Sequence, residues 1–99
     1  MAFDLVIKNG TIVDGSGQAR YRADVGVKDG RIAEIGRIRE NGAESIDADV
    51  MIVAPGFIDG HTHMDAQVTW DPLGSCSCWH GVTSVMMGNC GLALAPCKP

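Results

Sequence analysis

Apolar and polar residues alternate with a period of two along the first half of the chain, which is the pattern of short, half-buried β-strands. Phe3, Leu5 and Ile7 occupy every second position before the dipeptide Asn9-Gly10, and residues 11–13 are again β-type. Asn-Gly favours the positive φ angles of a two-residue hairpin turn. The pattern therefore predicts a first hairpin that turns at Asn9-Gly10.

A second hairpin is predicted a little further along the chain. Residues 24–28 and 31–35 are two apolar-rich segments separated by Asp29-Gly30, another type I′ turn signal. Two further short strands are predicted at 45–48 and 51–54. Together these strands predict a small antiparallel sheet.

The strand pattern divides the chain into two predicted domains, 1–54 and 55–99. In the second, residues 55–60 form a short apolar strand whose first position, a proline, is harmless to sheet hydrogen bonding. Residues 71–80 are predicted to be a helix, with an aspartate cap and a proline at the first helical position. Residues 82–87 form an apolar strand suited to burial in a parallel sheet, which completes one βαβ unit.

Two imidazoles follow the first of these strands at a spacing of two. Side chains at i and i+2 of an extended segment point to the same face, so His61 and His63 can bind one metal ion. A lone histidine is more often structural, but here Asp59 and Asp65 flank the pair and Cys90 lies in a glycine turn downstream. Each aspartate has two possible roles, a hydrogen bond to a ligand or a cap on the local backbone.

The residues around the histidines carry a family resemblance. The run Pro55-Gly56-Phe57-Ile58-Asp59-Gly60-His61-Thr62-His63 resembles the first barrel strand of the metal-dependent amidohydrolase superfamily. The segments 71–72, 79–85 and 88–96, the last beginning Gly88-Asn89-Cys90-Gly91, closely resemble the N-acyl-D-amino-acid deacylase (D-aminoacylase) branch. The resemblance covers nearly the whole chain and is most specific over 55–96.

The resemblance implies a fold and a metal site. It implies a β-sandwich half over 1–54, followed by the first two strands and intervening helix of an incomplete TIM-type (β/α)8 barrel. Adjacent strand ends meet at one face of such a barrel, so Cys90 would approach the histidine pair and bridge the metals, while His61 and His63 line a second, weaker position. Imidazole with thiolate favours zinc. Two further histidine ligands and the aspartate general base are expected beyond Pro99.

The length of the chain limits what it can do alone. A (β/α)8 barrel takes roughly 250 residues, whereas this chain has 99. We therefore expect an amino-terminal segment of a longer enzyme, inactive by itself and with no catalytic residue of its own. A sheet without its covering strands is also expected to self-associate.

Composition excludes several classes of partner and compartment. The net charge of −4 leaves no basic patch for nucleic acid, and no apolar run suggests a membrane span or signal peptide. We expect a cytoplasmic protein. The four cysteines crowd into the last quarter of the chain, a poor disulfide framework, so reduced thiols are expected.

Three functional hypotheses follow. The leading one is a zinc-dependent amidohydrolase that removes the acyl group from N-acyl-D-amino acids. The second is a cyclic amidohydrolase of the hydantoinase or dihydroorotase kind, which shares the histidine pair but, by resemblance, has no use for Cys90. The third is a non-catalytic β-module that binds a metal or a partner chain.

Overall fold

The computed structural model describes residues 2–90 and is mainly β. The chain divides into two compact units, Met1–Pro55 and Gly56–Pro99. The first contains β1 (Leu5–Ile12), β2 (Tyr21–Lys28), β3 (Arg31–Gly36), β4 (Glu44–Asp47) and β5 (Ile52–Val53). The second contains β6 (Phe57–Asp59), α1 (Met64–Gln67), α2 (Ser75–Cys78) and β7 (Val82–Val85). Neither helix is long and apolar enough to cross a membrane, and no other helix occurs in residues 2–90.

The first unit is one five-stranded sheet of order β3-β2-β1-β4, with β5 also paired to β1. Strand β2 runs antiparallel to both β1 and β3, whereas β4 and β5 run parallel to β1. The prediction of a purely antiparallel sheet was therefore wrong. After β3 the chain crosses through residues 37–43 to the far edge of β1 and runs in the same direction, which a hairpin cannot do.

The predicted hairpin at Asn9-Gly10 was also wrong, because this dipeptide lies inside β1. Asn9 has the positive φ of 60° that the dipeptide favours, but the angle forms a bulge, at which the pairing of β1 with β2 shifts between Ile7 and Gly10. The Asn9 backbone N–H donates to Asp24 Oδ1 at 2.8 Å, and its side-chain amide donates to Asp47 Oδ1 at 3.1 Å. Bonds to both neighbouring strands thus hold the bulge.

The second predicted hairpin is confirmed. Asp29 and Gly30, with φ of 50° and 70°, connect β2 to β3 in the manner of a type I′ turn. The Asp29 N–H donates to Asp4 Oδ2 at 2.7 Å, and Lys28 Nζ donates to Asp4 Oδ1 at 3.2 Å. These bonds tie the turn to the start of β1.

The two faces of the sheet differ in how well they are covered. On one face Phe3, Val6 and Ile38 form the buried core, and Phe3 lies so close over Gly26 that a Cβ there would meet the ring at 2.6 Å. The opposite face is apolar and only partly covered, since Val25 is buried there whereas Ile32, Ile35 and Ile46 are exposed, and we call it the open sheet face. Its residues follow from the strand register: Leu5, Ile7, Val25, Val27, Ile32, Ile35 and Ile46.

The second unit contains two parallel strands, β6 and β7, joined through α1 and α2. This confirms the predicted strand–helix–strand order, but the single helix expected over 71–80 was wrong. Gly74 has a left-handed φ of 58°, which a continuous helix over this segment does not allow, and only Ser75–Cys78 is helical there. The N-cap of this helix is Gly74 and not, as predicted, Asp71. Asp71 Oδ2 nevertheless accepts the backbone N–H and the hydroxyl of Ser75, the first helical residue, at 2.9 and 3.0 Å.

Candidate metal centre

The histidine pair lies in the loop that follows β6, and the burial of the side chains alternates along residues 61–63. His61 and His63 are exposed, whereas Thr62 between them is buried. The two imidazoles therefore lie on one side of the loop and the threonine on the other. Asp59 Oδ1 accepts the His61 backbone N–H at 3.1 Å. Of its two possible roles, Asp59 thus takes that of a local backbone cap.

Cys90 approaches this pair from the loop after β7. Its Sγ lies 2.9 Å from His63 Nε2 although the two residues are 27 positions apart in the chain. One donor atom from each of His61, His63 and Cys90 lies within 4.8 Å of the other two. The structure thus brings together all three predicted ligands.

These donors fit zinc by chemistry and by spacing. Two imidazole nitrogens and a thiolate form a borderline-soft set, which suits zinc better than magnesium or calcium. Around one tetrahedral zinc, neighbouring donor atoms lie roughly 3.3–3.6 Å apart, given the usual zinc–nitrogen and zinc–sulfur distances. The donor atoms of the cluster, all within 4.8 Å of one another, lie in a comparable range. Three protein ligands is also the number typical of catalytic zinc sites, which keep one position open.

The histidine loop and the cysteine loop are joined next to the strand ends. The Met86 backbone N–H donates to Asp59 O at 2.8 Å, which extends the β6–β7 pairing by one bond. The buried Thr62 hydroxyl donates to Met86 O at 2.7 Å. Thr62 was missed at the sequence level, because a spacing argument treats it as a spacer between two ligands. Its small hydroxyl side chain was the only available signal.

Two further bonds join the loops nearer to the thiol. Asp65 is only 5% exposed, and its Oδ1 accepts the backbone N–H of Gly88 at 2.9 Å. Asn89 donates from its side-chain amide to Gly60 O at 2.7 Å. Asp65 therefore bonds the opposite loop and not, as one hypothesis had it, the segment that follows it.

The remaining cysteines take no part in this cluster. Cys76 and Cys78 are exposed free thiols, and Cys90 is also free. Cys97 and the last residues of the Gly-Asn-Cys-Gly motif region, 91–96, lie outside the described residues.

Two family models match the chain. The model described as amidohydrolase family matches residues 44–96, which contain the whole histidine and cysteine cluster. A model of the urease alpha-subunit N-terminal domain matches residues 1–57, the part that forms the five-stranded sheet.

Individual proteins match over nearly the whole chain. The D-aminoacylase of Alcaligenes xylosoxydans xylosoxydans is 44% identical over 95 residues, which is 95% of this chain and 20% of the relative. The structure of N-acyl-D-glutamate deacylase from Bordetella bronchiseptica, complexed with zinc and a phosphonate inhibitor, has a TM-score of 0.89 and 44% identity, and the match covers 97% of this chain and 20% of that one. A D-aminoacylase structure with a binuclear metal centre, in which one metal activates and a second attenuates, has a TM-score of 0.88 and 40% identity over 96% of this chain and 20% of its own.

A D-hydantoinase structure resembles a smaller part of the chain. It has a TM-score of 0.56 and 48% identity over 63% of this chain and 13% of its own. The deacylases therefore match over more of the sequence and with closer geometry. This chain spans about a fifth of the length of the deacylases it matches.

Proposed function

Because this chain belongs to the amidohydrolase family, we propose that it is the amino-terminal part of a zinc-dependent enzyme that hydrolyses the amide bond of N-acyl-D-amino acids. The observation that carries the proposal is the convergence of His61, His63 and Cys90, with donor atoms within 4.8 Å, at the ends of two parallel strands. The similarity to a D-aminoacylase and to N-acyl-D-glutamate deacylase supports the substrate class.

Each residue of the cluster has a distinct task in this proposal. His61 and His63 offer neutral nitrogens from one side of an exposed loop, where substrate has access. Cys90 offers a thiolate, whose negative charge offsets part of the charge of a divalent cation. Zinc, when bound, supplies Lewis acidity and lowers the pKa of a coordinated water towards about 7. We propose one tight zinc and a second, weaker one, as the binuclear centre of a D-aminoacylase suggests.

The proposal extends to the architecture around the site. We infer that residues 1–54 are half of a β-sandwich and that 55–99 begin a (β/α)8 barrel, because the metal cluster lies at the carboxyl ends of parallel strands, where such barrels carry their active sites. The general base would then come from residues beyond this chain. Three free thiols favour a reducing compartment such as the cytoplasm. Neither nucleic acid nor membrane is proposed as a partner.

The test is an assay of the whole enzyme after removal of metal and reloading with zinc. We expect release of free amino acid from N-acyl-D-amino acids, with D-glutamate and neutral D-residues compared, and little release from the L-enantiomers. Cys90→Ala is expected to lose at least 100-fold in kcat/KM, since losing a donor next to the reacting amide removes transition-state stabilisation of about 3 kcal/mol. Cys76→Ala, which removes an exposed thiol outside the cluster, is the matched control.

The same assay decides between the hypotheses. Turnover of hydantoins or dihydroorotate, retained in Cys90→Ala, would support the cyclic amidohydrolase. Zinc binding without hydrolysis of any of these substrates by the whole protein would support the non-catalytic module. Failure of the zinc-loaded enzyme to deacylate every N-acyl-D-amino acid tested would refute the leading proposal.

A further inference from the structure

The segment that carries Cys90 has no strand or helix of its own to hold it in place. β7 ends at Val85, and residues 86–90 leave the sheet as turns and bends. A donor on such a segment must be ordered each time a metal binds, and ordering a backbone costs about 1–2 kcal/mol per residue. Preorganisation removes that cost from the binding step. Bonds that hold residues 86–90, which we call the cysteine loop, would therefore favour metal binding.

Two hydrogen bonds made by side chains connect the residues just before Cys90 to the residues around the histidine pair. Asp65, buried in the first turn of α1 directly after the histidine loop, accepts the N–H of Gly88, two residues before Cys90. Asn89, immediately before Cys90, donates to Gly60 O, immediately before His61. Each bond joins a residue within two positions of one predicted ligand to a residue within two positions of another.

The backbone at Gly88 makes the first of these bonds possible. Gly88 has a φ of 85°, in the left-handed region that a residue with a side chain enters only under strain. This turn aims its N–H at the buried carboxylate. Asp65 itself is buried, with only 5% of its surface exposed, so few other conformations are open to its side chain.

We propose that Asp65 and Asn89 are positioning residues, which fix the cysteine loop against the histidine loop so that the Cys90 thiol is held within reach of a metal bound by His61 and His63. Neither side chain touches the metal in this proposal. The inference rests on the proposed metal site, and it adds residues that act on the site through the backbone. Partners of this kind, when mutated, typically cost 10-fold to 100-fold in metal affinity.

The test measures the metal itself and does not depend on catalysis. Zinc affinity of the whole enzyme, carrying each substitution in this chain, is measured by competition with a chromophoric chelator. Cobalt(II) is then used as a spectroscopic probe, because thiolate-to-cobalt charge transfer reports the sulfur–metal bond separately from the histidine–metal bonds. We expect Asp65→Ala and Asn89→Ala to bind zinc 10-fold to 100-fold more weakly and to show less charge-transfer absorption per bound cobalt.

Two variants serve as controls. Asp65→Asn keeps an oxygen that can accept the Gly88 N–H, so it is expected to restore most of the charge-transfer signal. Asp71→Ala removes another carboxylate that accepts a backbone N–H in the same unit but lies outside the metal cluster. A merely structural role would lower the folded fraction, followed by near-ultraviolet circular dichroism, and leave charge transfer per bound cobalt unchanged.

The outcomes separate this inference from the proposed function. An unchanged charge-transfer signal in both alanine variants, or an equal loss in Asp71→Ala, overturns the positioning role and leaves the metal site intact. Absence of any thiolate signal in the unmodified whole enzyme overturns the metal site and the positioning role together. Should Asp65→Ala fail to fold, Asn89→Ala decides, because its side chain is exposed and contributes one bond only.

Discussion

In the first unit, the carboxylate of Asp24 connects two segments of the chain by hydrogen bonds. Its two oxygens accept the backbone N–H of Asn9, at the bulge, and of Ile38, beyond β3, at 2.8 and 2.9 Å. The bond from Asn9 is the main reason why the pKa of Asp24 lies below its ordinary value of 3.8, with a smaller contribution from the Ile38 bond and from nearby cations. Two segments distant in sequence are thus joined through one side chain.

The lowered pKa predicts acid sensitivity. Around pH 4 the unfolded chain binds more protons at Asp24 than the folded chain does, so the stabilisation is complete above the ordinary pKa and is lost as the pH falls through the folded pKa. Asp4, Asp14 and Asp47 also have lowered pKa values, which act in the same direction. We expect the free energy of unfolding to fall steadily below about pH 4, as measured by urea denaturation at a series of pH values.

Asp24→Asn isolates this residue. The asparagine side chain has one oxygen, so only one of the two N–H groups, that of Asn9 or that of Ile38, keeps an acceptor. We therefore expect the free energy of unfolding to fall by about 1–3 kcal/mol at neutral pH and to depend less on acid. Glu40→Gln, at an exposed carboxylate of the same unit, is the control. Equal acid dependence in Asp24→Asn and the unmodified chain would contradict the assignment.

At the scale of elements, packing on the core face of the sheet requires a residue without a side chain at position 26. Gly26 in β2 lies directly under Phe3, and a Cβ at Gly26 would come within 2.6 to 2.9 Å of three ring atoms. Gly26→Ala is expected to displace the buried ring and to cost about 1–3 kcal/mol. Gly36→Ala at the end of β3 is a matched control, because nothing lies within 4 Å of its Cβ position. Chemical denaturation of the two variants tests the difference, and equal stabilities would show that Phe3 repacks freely.

Two turn-type dipeptides, each with a positive φ at its first residue, explain why some elements were predicted and others were not. Asn9-Gly10 and Asp29-Gly30 give the same local signal, yet one forms a bulge inside β1 and the other a hairpin. The local chemistry determines the sign of φ, and the choice between bulge and turn depends on partners distant in sequence, here Asp24 and Asp47. The parallel placement of β4 and β5 was missed for the same reason, since it depends on which edge of β1 is free.

At the scale of the whole molecule, the open sheet face predicts association of this chain with itself. Ile32, Ile35 and Ile46 on that face are 65, 46 and 49% exposed, and apolar surface of this extent is costly in water. We expect light scattering to give a mass above that of a monomer, increasing with concentration. The double variant Ile32→Lys with Ile35→Lys should shift the chain towards monomer. Trp79→Lys, 83% exposed in the other unit, is the control, and an equal shift there would place the contact elsewhere.

The donor residues of the candidate site could be predicted from the sequence, whereas the hydrogen bonds that hold them in place could not. His61, His63 and Cys90 were expected to meet because a period of two and a strand–helix–strand order can be inferred from sequence, and their donor atoms do lie together. Their role as zinc ligands stays a prediction. The bonds through Thr62, Asp65 and Asn89 depend on how two loops pack, which no local pattern determines.

The burial of Thr62 has a consequence for how such sites arise and are found. Its hydroxyl donates to the carbonyl of Met86, so the residue between the two histidines is constrained by the neighbouring loop. A histidine pair transplanted into another protein with an arbitrary residue in the middle would acquire the donors without the anchor. A motif for surveying genomes, or for grafting such a centre onto a designed scaffold, should therefore specify a small hydroxyl residue at that position.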